Sequence, residues 1–466
     1  MRYISTRGSA PVRDFAGVLL AGLAEDGGLY VPETWPHFGP ADWRAMRALP
    51  YPDLAARVMQ PFVGDSIPAA TLLRLSREAY ANFGHPAVVP MVQLESHLWT
   101  QELFHGPTLA FKDMAMQLLG RLFDHVLSER DARVTIVGAT SGDTGSAAIE
   151  ACANRDRVDI VILHPDGRTS EVQRRQMTTV MAPNVANIAV DGSFDDCQDL
   201  VKAMFADQPF RQEMHLSAVN SINWARIAAQ IPYYVAAALA LGAPDREVAF
   251  AVPTGNFGNV LAAWAARRIG LPVARLVIGS NRNDILSRFL AANDMSMQPV
   301  EPSLSPSMDI QVSSNFERLL FELLDRDAQA TATTMADFRT HGRMTIPKAS
   351  WHRASAVFHG FTLDDPGTLA EIRRLHTNGY LADPHTAIGI AAARAHMPKH
   401  GIPMIAMATA HPAKFPDAMQ QATGQRPALP PALADLYDRP ERYTRLPADL
   451  ATNEAAVRAT VLRNAA

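Results

Sequence analysis

The chain has 466 residues, which is too many for one hydrophobic core, so two or three domains are expected. Hydrophobic residues make up 48% and charged residues 19%, as in ordinary globular enzymes, and a net charge of -4 gives no electrostatic basis for binding nucleic acid or an anionic membrane. Two cysteines, no apolar stretch after Met1 and no apolar run of about 20 residues predict a cytoplasmic protein without a disulfide framework or a membrane span.

The first part of the chain, residues 1–95, is predicted to be a small helical N-terminal region. Its first helix is an apolar segment at 15–24, and the following Gly27, Gly28 and Pro32 indicate a helix end and a tight turn. Short helices are expected from there to about Phe83. No pattern in this region indicates chemistry of its own.

From residue 96 onward, β-branched runs alternate with helical segments. This alternation predicts an α/β fold with two mainly parallel sheets flanked by helices. We expect a smaller α/β domain at 96–218, a larger α/β domain at 219–425 and a C-terminal tail at 426–466. Strands are predicted at 134–137, 159–163, 185–190, 248–252, 275–278 and 404–408, one long helix at 224–241 and an irregular loop at 295–310.

Lys112 lies where a turn-forming segment meets an amphipathic helix. Apolar residues precede it, so its amine is expected to be desolvated and close to the positive end of the helix dipole. Both effects lower the pKa of a lysine, and an unprotonated amine can form a Schiff base. The alternative is a surface lysine at a helix start. Few amines compete for a reactive role, because the chain has only five lysines.

The segment Gly255-Asn256-Phe257-Gly258-Asn259 joins a predicted strand to a predicted helix. Its glycines let the backbone close around a ligand, and the helix start offers free N–H groups, an arrangement suited to phosphate. The alternative is a simple turn. The spacing matches neither a dinucleotide fingerprint nor a nucleotide P-loop.

A second loop also precedes a predicted helix, and it is rich in hydroxyl groups. Hydroxyls and backbone N–H groups at a helix start suit a carboxylate ligand, although the same residues make a good helix N-cap without any ligand. The candidate residues of this loop are Thr140, Ser141, Gly142, Asp143 and Thr144.

Two further polar positions follow predicted strands or begin predicted helices. Thr409 follows the strand at 404–408, at the strand end where open α/β sheets bind ligands, or it caps the next turn. Arg226, in the cluster from Asn220 to Arg226, either binds a phosphate or carboxylate or forms a structural ion pair. Lys414 is read as solvent-exposed or as a weak candidate for binding phosphate. No motif has the spacing of a metal site.

With these residues in view, the chain resembles the threonine synthase family, pyridoxal-phosphate enzymes of fold type II in the tryptophan-synthase-β group. The resemblance is to the branch with a long N-terminal region, and its motifs are spread over nearly the whole chain. The matching segments are 5–8, 26–32, 103–113, 139–145, 220–230, 253–259, 383–387 and 408–415.

The resemblance implies a role for each candidate residue. Lys112 would hold pyridoxal 5'-phosphate as a Schiff base and act as a general base. Thr409 would place its hydroxyl on the pyridine nitrogen, and Arg226 would contact the substrate. The loop from Thr140 to Thr144 would hold the substrate carboxylate. The cofactor phosphate would be bound by Gly255, Asn256, Phe257, Gly258 and Asn259, with Asn259 contributing its backbone N–H.

The reaction that the resemblance implies is the last step of threonine biosynthesis, in which O-phospho-L-homoserine and water give L-threonine and phosphate. The alternatives are a related lyase, such as a phosphothreonine lyase or a serine/threonine dehydratase, and a non-catalytic binding protein with the same fold. A monomer or homodimer is expected.

Overall fold

The computed structural model describes residues 1–217, 221–399 and 401–465, so the predicted boundary at 218/219 and the predicted site neighbour Asn220 lie outside the described residues. The strands are β1 (Tyr3–Ser5), β2 (Tyr30–Pro32), β3 (Met91–Glu95), β4 (Leu98–Glu102), β5 (Val134–Ala139), β6 (Val158–Pro165), β7 (Val185–Asp191), β8 (Leu216–Ser217), β9 (Val248–Pro253), β10 (Val273–Ser280), β11 (Met295–Ser296), β12 (Arg343–Met344), β13 (Phe358–Thr362), β14 (Met404–Ala408) and β15 (Thr444–Pro447).

The helices lie mainly between the strands, as the alternating pattern predicts. They are α1 (Phe15–Ala21), α2 (Pro40–Met46), α3 (Tyr51–Val63), α4 (Ala69–Tyr80), α5 (Lys112–Glu129), α6 (Asp143–Cys152), α7 (Glu171–Thr178), α8 (Phe194–Ala206), α9 (Gln208–Glu213), α10 (Trp224–Ala228), α11 (Ile231–Ala240), α12 (Gly258–Arg268), α13 (Ile285–Ala292), α14 (Phe316–Leu323), α15 (Ala328–His341), α16 (Lys348–Ser355), α17 (Asp365–Thr377), α18 (Pro384–Ala395), α19 (Pro416–Thr423) and α20 (Leu450–Ala465).

The larger sheet has the order β13-β10-β9-β14-β4-β3. Its strands are parallel except for β3, which pairs antiparallel with β4. The register of β14 on β4 joins Met404 to Leu98 and Ala408 to Glu102. The residues at 98–102, which we expected in the smaller domain, therefore form a strand of the larger sheet, because their partner strand comes from far along the chain.

The smaller sheet is parallel throughout and has the order β15-β7-β6-β5-β8. Its edge strand β15 belongs to the segment expected to be a separate tail. Thr444 of β15 pairs with Ile188 of β7, and α20 packs on α8. The C-terminal segment thus completes the smaller sheet, which covers the backbone groups of β7 that would otherwise form an open edge.

The N-terminal region is mostly helical, as predicted, and adds a two-stranded sheet, β1 with β2. It packs against the larger sheet and its helices. Trp43 donates a hydrogen bond from Nε1 to the carbonyl oxygen of Gly270 at 3.0 Å, and both Glu317 oxygens are bonded by the Arg7 guanidinium. No helix within the described ranges is long and apolar enough to cross a membrane.

The helix predicted at 224–241 is divided into α10 and α11. Pro232 lies in the first turn of α11, and its ring nitrogen has no hydrogen to donate to the preceding turn. The division leaves Arg226 in the last turn of a short helix, buried, rather than at the start of a long one.

Candidate active site

A single cavity contacts most of the residues predicted to form a site. It lies where β9 and β14 of the larger sheet and β5 of the smaller sheet lead into loops, as ligand sites of parallel sheets do. Thr140, Ser141 and Gly142 are predicted site residues that do not line it. Those that do are Lys112, Asp143, Thr144, Arg226, Gly255, Asn256, Phe257, Gly258, Asn259 and Thr409.

Lys112 is the first residue of α5, as the turn-to-helix pattern predicts. The loop before it is fixed against the end of β14, because Leu103 N donates to Ala408 O at 3.0 Å and Phe111 N donates to Thr409 O at 2.8 Å. These two hydrogen bonds bring Lys112 beside Thr409 although the residues are far apart in sequence.

Asp143 is the partner of the Lys112 amine. Its Oδ2 accepts a hydrogen bond from Lys112 Nζ at 3.1 Å. Burial lowers the pKa of Lys112, and the carboxylate opposes part of this shift. Burial alone would raise the pKa of Asp143, but the ammonium groups of Lys112 and Lys414 lower it overall. Asp143 is therefore ionised, and its side chain cannot itself bind a substrate carboxylate.

Lys414 lies on the other side of the same carboxylate and is fully buried, not solvent-exposed. Its Nζ lies 2.9 Å from Asp143 Oδ1, and it donates to Thr108 O at 2.6 Å and to Gln176 Oε1 at 3.0 Å. Since an ammonium has three hydrogens, these three oxygens occupy all of them. Lys414 is thus unsuited to the phosphate-binding role considered for it.

The loop between β9 and α12 forms a narrow anion cradle. A Cβ on Gly255 would lie 2.3 Å from Ser307 O, so only glycine fits there. Phe257 has a φ of 64°, the left-handed conformation, and α12 begins directly after it with no side-chain cap. The first N–H groups of α12 are therefore left for a ligand, and the positive end of the helix favours an anion.

Asn259 and Arg226 offer two more donors with no protein partner among the described residues. Asn259 Oδ1 accepts from Tyr233 and, at 2.6 Å, from Tyr234, which leaves its Nδ2 unpaired. Arg226 is 3% exposed, and its Nε and Nη1 atoms have no acceptor in the structure as described. Burial lowers its pKa to about 10. Unpaired buried donors are costly, which indicates a ligand.

The hydroxyl loop is organised differently from the expectation. Thr140 Oγ1 accepts hydrogen bonds from Gly142 N at 3.0 Å and Gly145 N at 2.9 Å, so it holds the loop together. Ser141 is exposed, and only Asp143 and Thr144 reach the cavity. Thr140 therefore fixes the loop from outside the helix, since the N-cap of α6 is Gly142, which has no side chain to cap it, while Thr144 lines the cavity.

His385 lines the cavity, although the sequence assigned it no role beyond that of a hydrogen-bonding residue in the matching segment 383–387. Its Nε2 accepts from Ser307 N at 3.2 Å, so Nδ1, which lies 2.9 Å from Asp383 Oδ1, carries the proton. Thr386 Oγ1 in turn accepts from Thr409 N at 3.1 Å. An aspartate before a proline is a helix-start signal, and Asp383 caps α18, but that signal alone gives no indication of the contact with Ser307.

Three family models match successive parts of the chain. They are "Threonine synthase N terminus" at residues 2–80, "Pyridoxal-phosphate dependent enzyme" at 85–340 and "Threonine synthase, C-terminal" at 386–457. The resemblance inferred from the motifs is thus confirmed in all three parts, and pyridoxal phosphate is the cofactor.

Curated and solved relatives match along nearly the full length. A threonine synthase of Pseudomonas aeruginosa is 55% identical, covering 98% of each chain. The crystal structure of pyridoxal-phosphate-bound threonine synthase from Brucella melitensis has a TM-score of 0.97 and 52% identity over 99% of each chain, and the yeast threonine synthase structure has a TM-score of 0.95 and 37% identity over 99% of each chain. The chain therefore belongs to the threonine synthase family of pyridoxal-phosphate-dependent lyases.

Proposed function

We propose that the chain converts O-phospho-L-homoserine and water into L-threonine and phosphate, the last step of threonine biosynthesis. The observation that carries this proposal is that one cavity is lined by a reactive amine and by two groups that can bind anions. The Lys112 amine, the uncapped start of α12 and the unpaired guanidinium of Arg226 all line it. A reactive amine and two anion sites are what a phosphorylated amino acid and a phosphorylated cofactor require.

The residues of the cavity suit pyridoxal phosphate. Gly255, Asn256, Phe257, Gly258 and Asn259 would bind its phosphate through the backbone N–H groups at the start of α12, with Asn259 adding its free Nδ2. Lys112 would hold the cofactor covalently, and the Thr409 hydroxyl would meet the pyridine nitrogen. When bound, the cofactor supplies an electron sink for the pair left behind when the substrate loses its Cα proton.

The charges of the cavity favour the anionic groups of the substrate. Arg226 and Lys112 are basic residues that line the cavity, and Asp143 is the carboxylate that Lys112 shares with the enclosed Lys414. We infer that Arg226 binds the substrate phosphate, because its buried Nε and Nη1 have no acceptor among the described residues and a guanidinium is well suited to bind phosphate. Thr144 and the N–H groups at the start of α6 would hold the substrate carboxylate, with Thr140, Ser141 and Gly142 shaping that loop.

Proton transfer would be carried out by Lys112. Burial lowers the pKa of its amine, which favours the uncharged form needed to accept a Cα proton. The reaction removes a second proton at Cβ, expels phosphate from Cγ and adds water at Cβ. Asp143 would orient the amine throughout, since its Oδ2 is 3.1 Å from Lys112 Nζ.

The test is a steady-state assay with O-phosphohomoserine that measures phosphate and threonine separately. Wild type should release both in equal amounts. Lys112→Ala should lose threonine formation and the borohydride-reducible cofactor, while Lys202→Ala, which changes an exposed lysine of α8, should match wild type.

Other outcomes of this assay identify the alternatives. Phosphate without threonine would indicate a related lyase, such as a phosphothreonine lyase or a dehydratase. No turnover and no bound cofactor in wild type would indicate a binding protein. We also predict that the chain is a monomer or homodimer, which light scattering would check. Its predicted cytoplasmic location would be checked by cell fractionation.

A further inference from the structure

Lys112 and Lys414 share one carboxylate but have different surroundings. Lys112 Nζ has Asp143 Oδ2 as its hydrogen-bond acceptor and faces the cavity. Lys414 Nζ is enclosed, with Asp143 Oδ1, Thr108 O and Gln176 Oε1 all within 3.0 Å. The first amine is placed to react, whereas the second is fully buried among its acceptors.

We propose that Lys414 is a positioning residue that acts through Asp143, as a fixed counter-cation that lets Lys112 become uncharged. The proposal rests on the proposed role of Lys112 in holding the cofactor. Lys414 itself contacts neither the cavity nor any ligand that the cavity would hold.

The argument depends on what happens to Asp143 when Lys112 loses its proton. If Lys112 were its only cation, a neutral amine would leave a buried carboxylate unpaired, which is strongly unfavourable. That cost would keep the proton on Lys112 or move it to Asp143. With Lys414 in place, Asp143 keeps one cation at 2.9 Å, and Gln173 Nε2 donates to the same oxygen at 2.8 Å. The proton from Lys112 can then leave to bulk water.

Lys414 also repels the ammonium form of Lys112 directly, as does Arg226. These repulsions add to burial in lowering the pKa of Lys112. The other titratable groups do not replace Lys414. His385 lines the cavity from α18 with its proton directed to Asp383, and the Asp113 carboxylate is bonded by Thr108.

His411 is the remaining ionisable neighbour of Lys414. Burial lowers the pKa of His411 to about 4, so it is neutral at physiological pH. Lys414 is therefore the cation that offsets Asp143 on the side away from the cavity.

The experiment measures how fast pyridoxal phosphate labels Lys112 at different pH values. The full-length chain is freed of cofactor, mixed with pyridoxal phosphate between pH 6 and pH 10, and quenched with borohydride after short times. Mass spectrometry quantifies the labelled peptide that contains Lys112, with exposed Lys202 as the internal reference. The variants are Lys414→Met, Lys414→Arg and Gln176→Leu, and Lys414→Gln replaces Lys414→Met where that variant does not fold.

In Lys414→Met the midpoint of the pH–rate profile at Lys112 should rise by at least about one pH unit, which makes labelling at pH 7 about tenfold slower. Lys414→Arg should restore the midpoint. Gln176→Leu removes an acceptor of Lys414 but no charge, so its midpoint should match wild type.

An unchanged midpoint in the neutral variant at position 414, Lys414→Met or its replacement Lys414→Gln, would overturn the proposal and leave the proposed function intact. A shift of equal size in Gln176→Leu would also overturn it, because loosened packing would then explain the effect. Failure of wild-type Lys112 to be labelled would instead contradict the proposed function itself.

Discussion

Asn315 donates a hydrogen bond from its side-chain Nδ2 to the carbonyl oxygen of Asn256 at 3.0 Å. The same amide also donates to Ser221 O at 3.0 Å. Arg318, one turn further along α14, bonds the Asn315 oxygen and donates from Nε to Tyr30 O at 2.9 Å. The N-terminal region, which showed no chemistry of its own, is thus linked through α14 to the anion cradle.

Removing this support should weaken binding of the cofactor phosphate. In Asn315→Ala the carbonyl of Asn256 loses its side-chain donor, and we expect pyridoxal phosphate to bind at least about tenfold more weakly. Pyridoxal, which lacks the phosphate, should bind with nearly unchanged affinity, and fluorescence titration of both compounds measures the difference. Asn378→Ala is the control, because Asn378 also donates to a backbone carbonyl but lies exposed at the C-cap of α17. If pyridoxal phosphate and pyridoxal lost affinity equally, Asn315 would have no specific role in binding the cofactor phosphate.

Arg226 should be dispensable for folding but necessary for the substrate. Among the residues that the structure describes, its buried guanidinium has no acceptor for Nε and Nη1, so Arg226→Met should leave the stability of the cofactor-free chain unchanged or raise it by about 1–2 kcal/mol. The KM for O-phosphohomoserine should rise at least tenfold, as is typical when a charged hydrogen bond of about 1.5–3 kcal/mol is lost.

Arg318→Met is the matched control for Arg226→Met. Arg318 is 1% exposed, but its guanidinium donates to Tyr30, Ile222 and Asn315. Its loss should lower the free energy of unfolding by about 3 kcal/mol or more. Urea denaturation measures the free energy of unfolding of both variants. Equal destabilisation of the two would mean that Arg226 has a structural partner.

Asp113 should make stability depend on pH in an unusual direction. Burial raises its pKa from 3.8 to about 6, although hydrogen bonds from Thr108 oppose this shift. The folded chain therefore binds the proton more tightly than the unfolded chain, and stability is lost as pH rises from about 4 to about 6. Relative to Asp113→Asn, the wild-type free energy of unfolding should fall by about 2 kcal/mol between pH 4.5 and pH 7. Urea denaturation measures this difference. If the free energy of unfolding had the same pH dependence in wild type and in Asp113→Asn, Asp113 would not have a raised pKa.

Gly255→Ala should abolish cofactor retention without unfolding the chain. The added Cβ would meet Ser307 O at 2.3 Å, so the cradle or the loop at 305–309 must move. We expect the purified variant to lose the cofactor absorbance and to keep its far-ultraviolet circular dichroism. In the control Gly39→Ala the new Cβ would lie 3.7 Å from its nearest neighbour, and the cofactor should be retained.

The parts of the site that the sequence predicts correctly are those made by local chemistry. Lys112 begins its helix, and the segment 255–259 joins a strand to a helix, because turn residues and apolar spacing act over a few positions. The prediction of two mainly parallel sheets is confirmed, because strand and helix segments alternate visibly along the sequence. The family is confirmed as well, because its motifs occur in order along the sequence. The roles of the individual site residues remain predictions.

The parts that sequence patterns did not predict depend on contacts between distant segments. The strand at 98–102 joins β14, and the strand at 444–447 joins β7, but nothing in either short run specifies its partner. Lys414 was read as exposed because a lysine after a turn usually is. Its burial follows from three oxygens that come from Thr108, Asp143 and Gln176, and this arrangement exists only in the folded chain.

The hydrogen bond from Lys414 to Thr108 spans 306 residues of sequence, and β4 pairs with β14 over a similar separation. On the ribosome, the segment that carries Lys112 therefore emerges long before the segments that fix its position. Translation at about 5–20 residues per second leaves the N-terminal portion waiting tens of seconds with β4 unpaired on one side. The side of the cavity formed by Thr409 and Ala410 is missing during that time, so we expect stable binding of pyridoxal phosphate only after β14 has emerged and paired with β4.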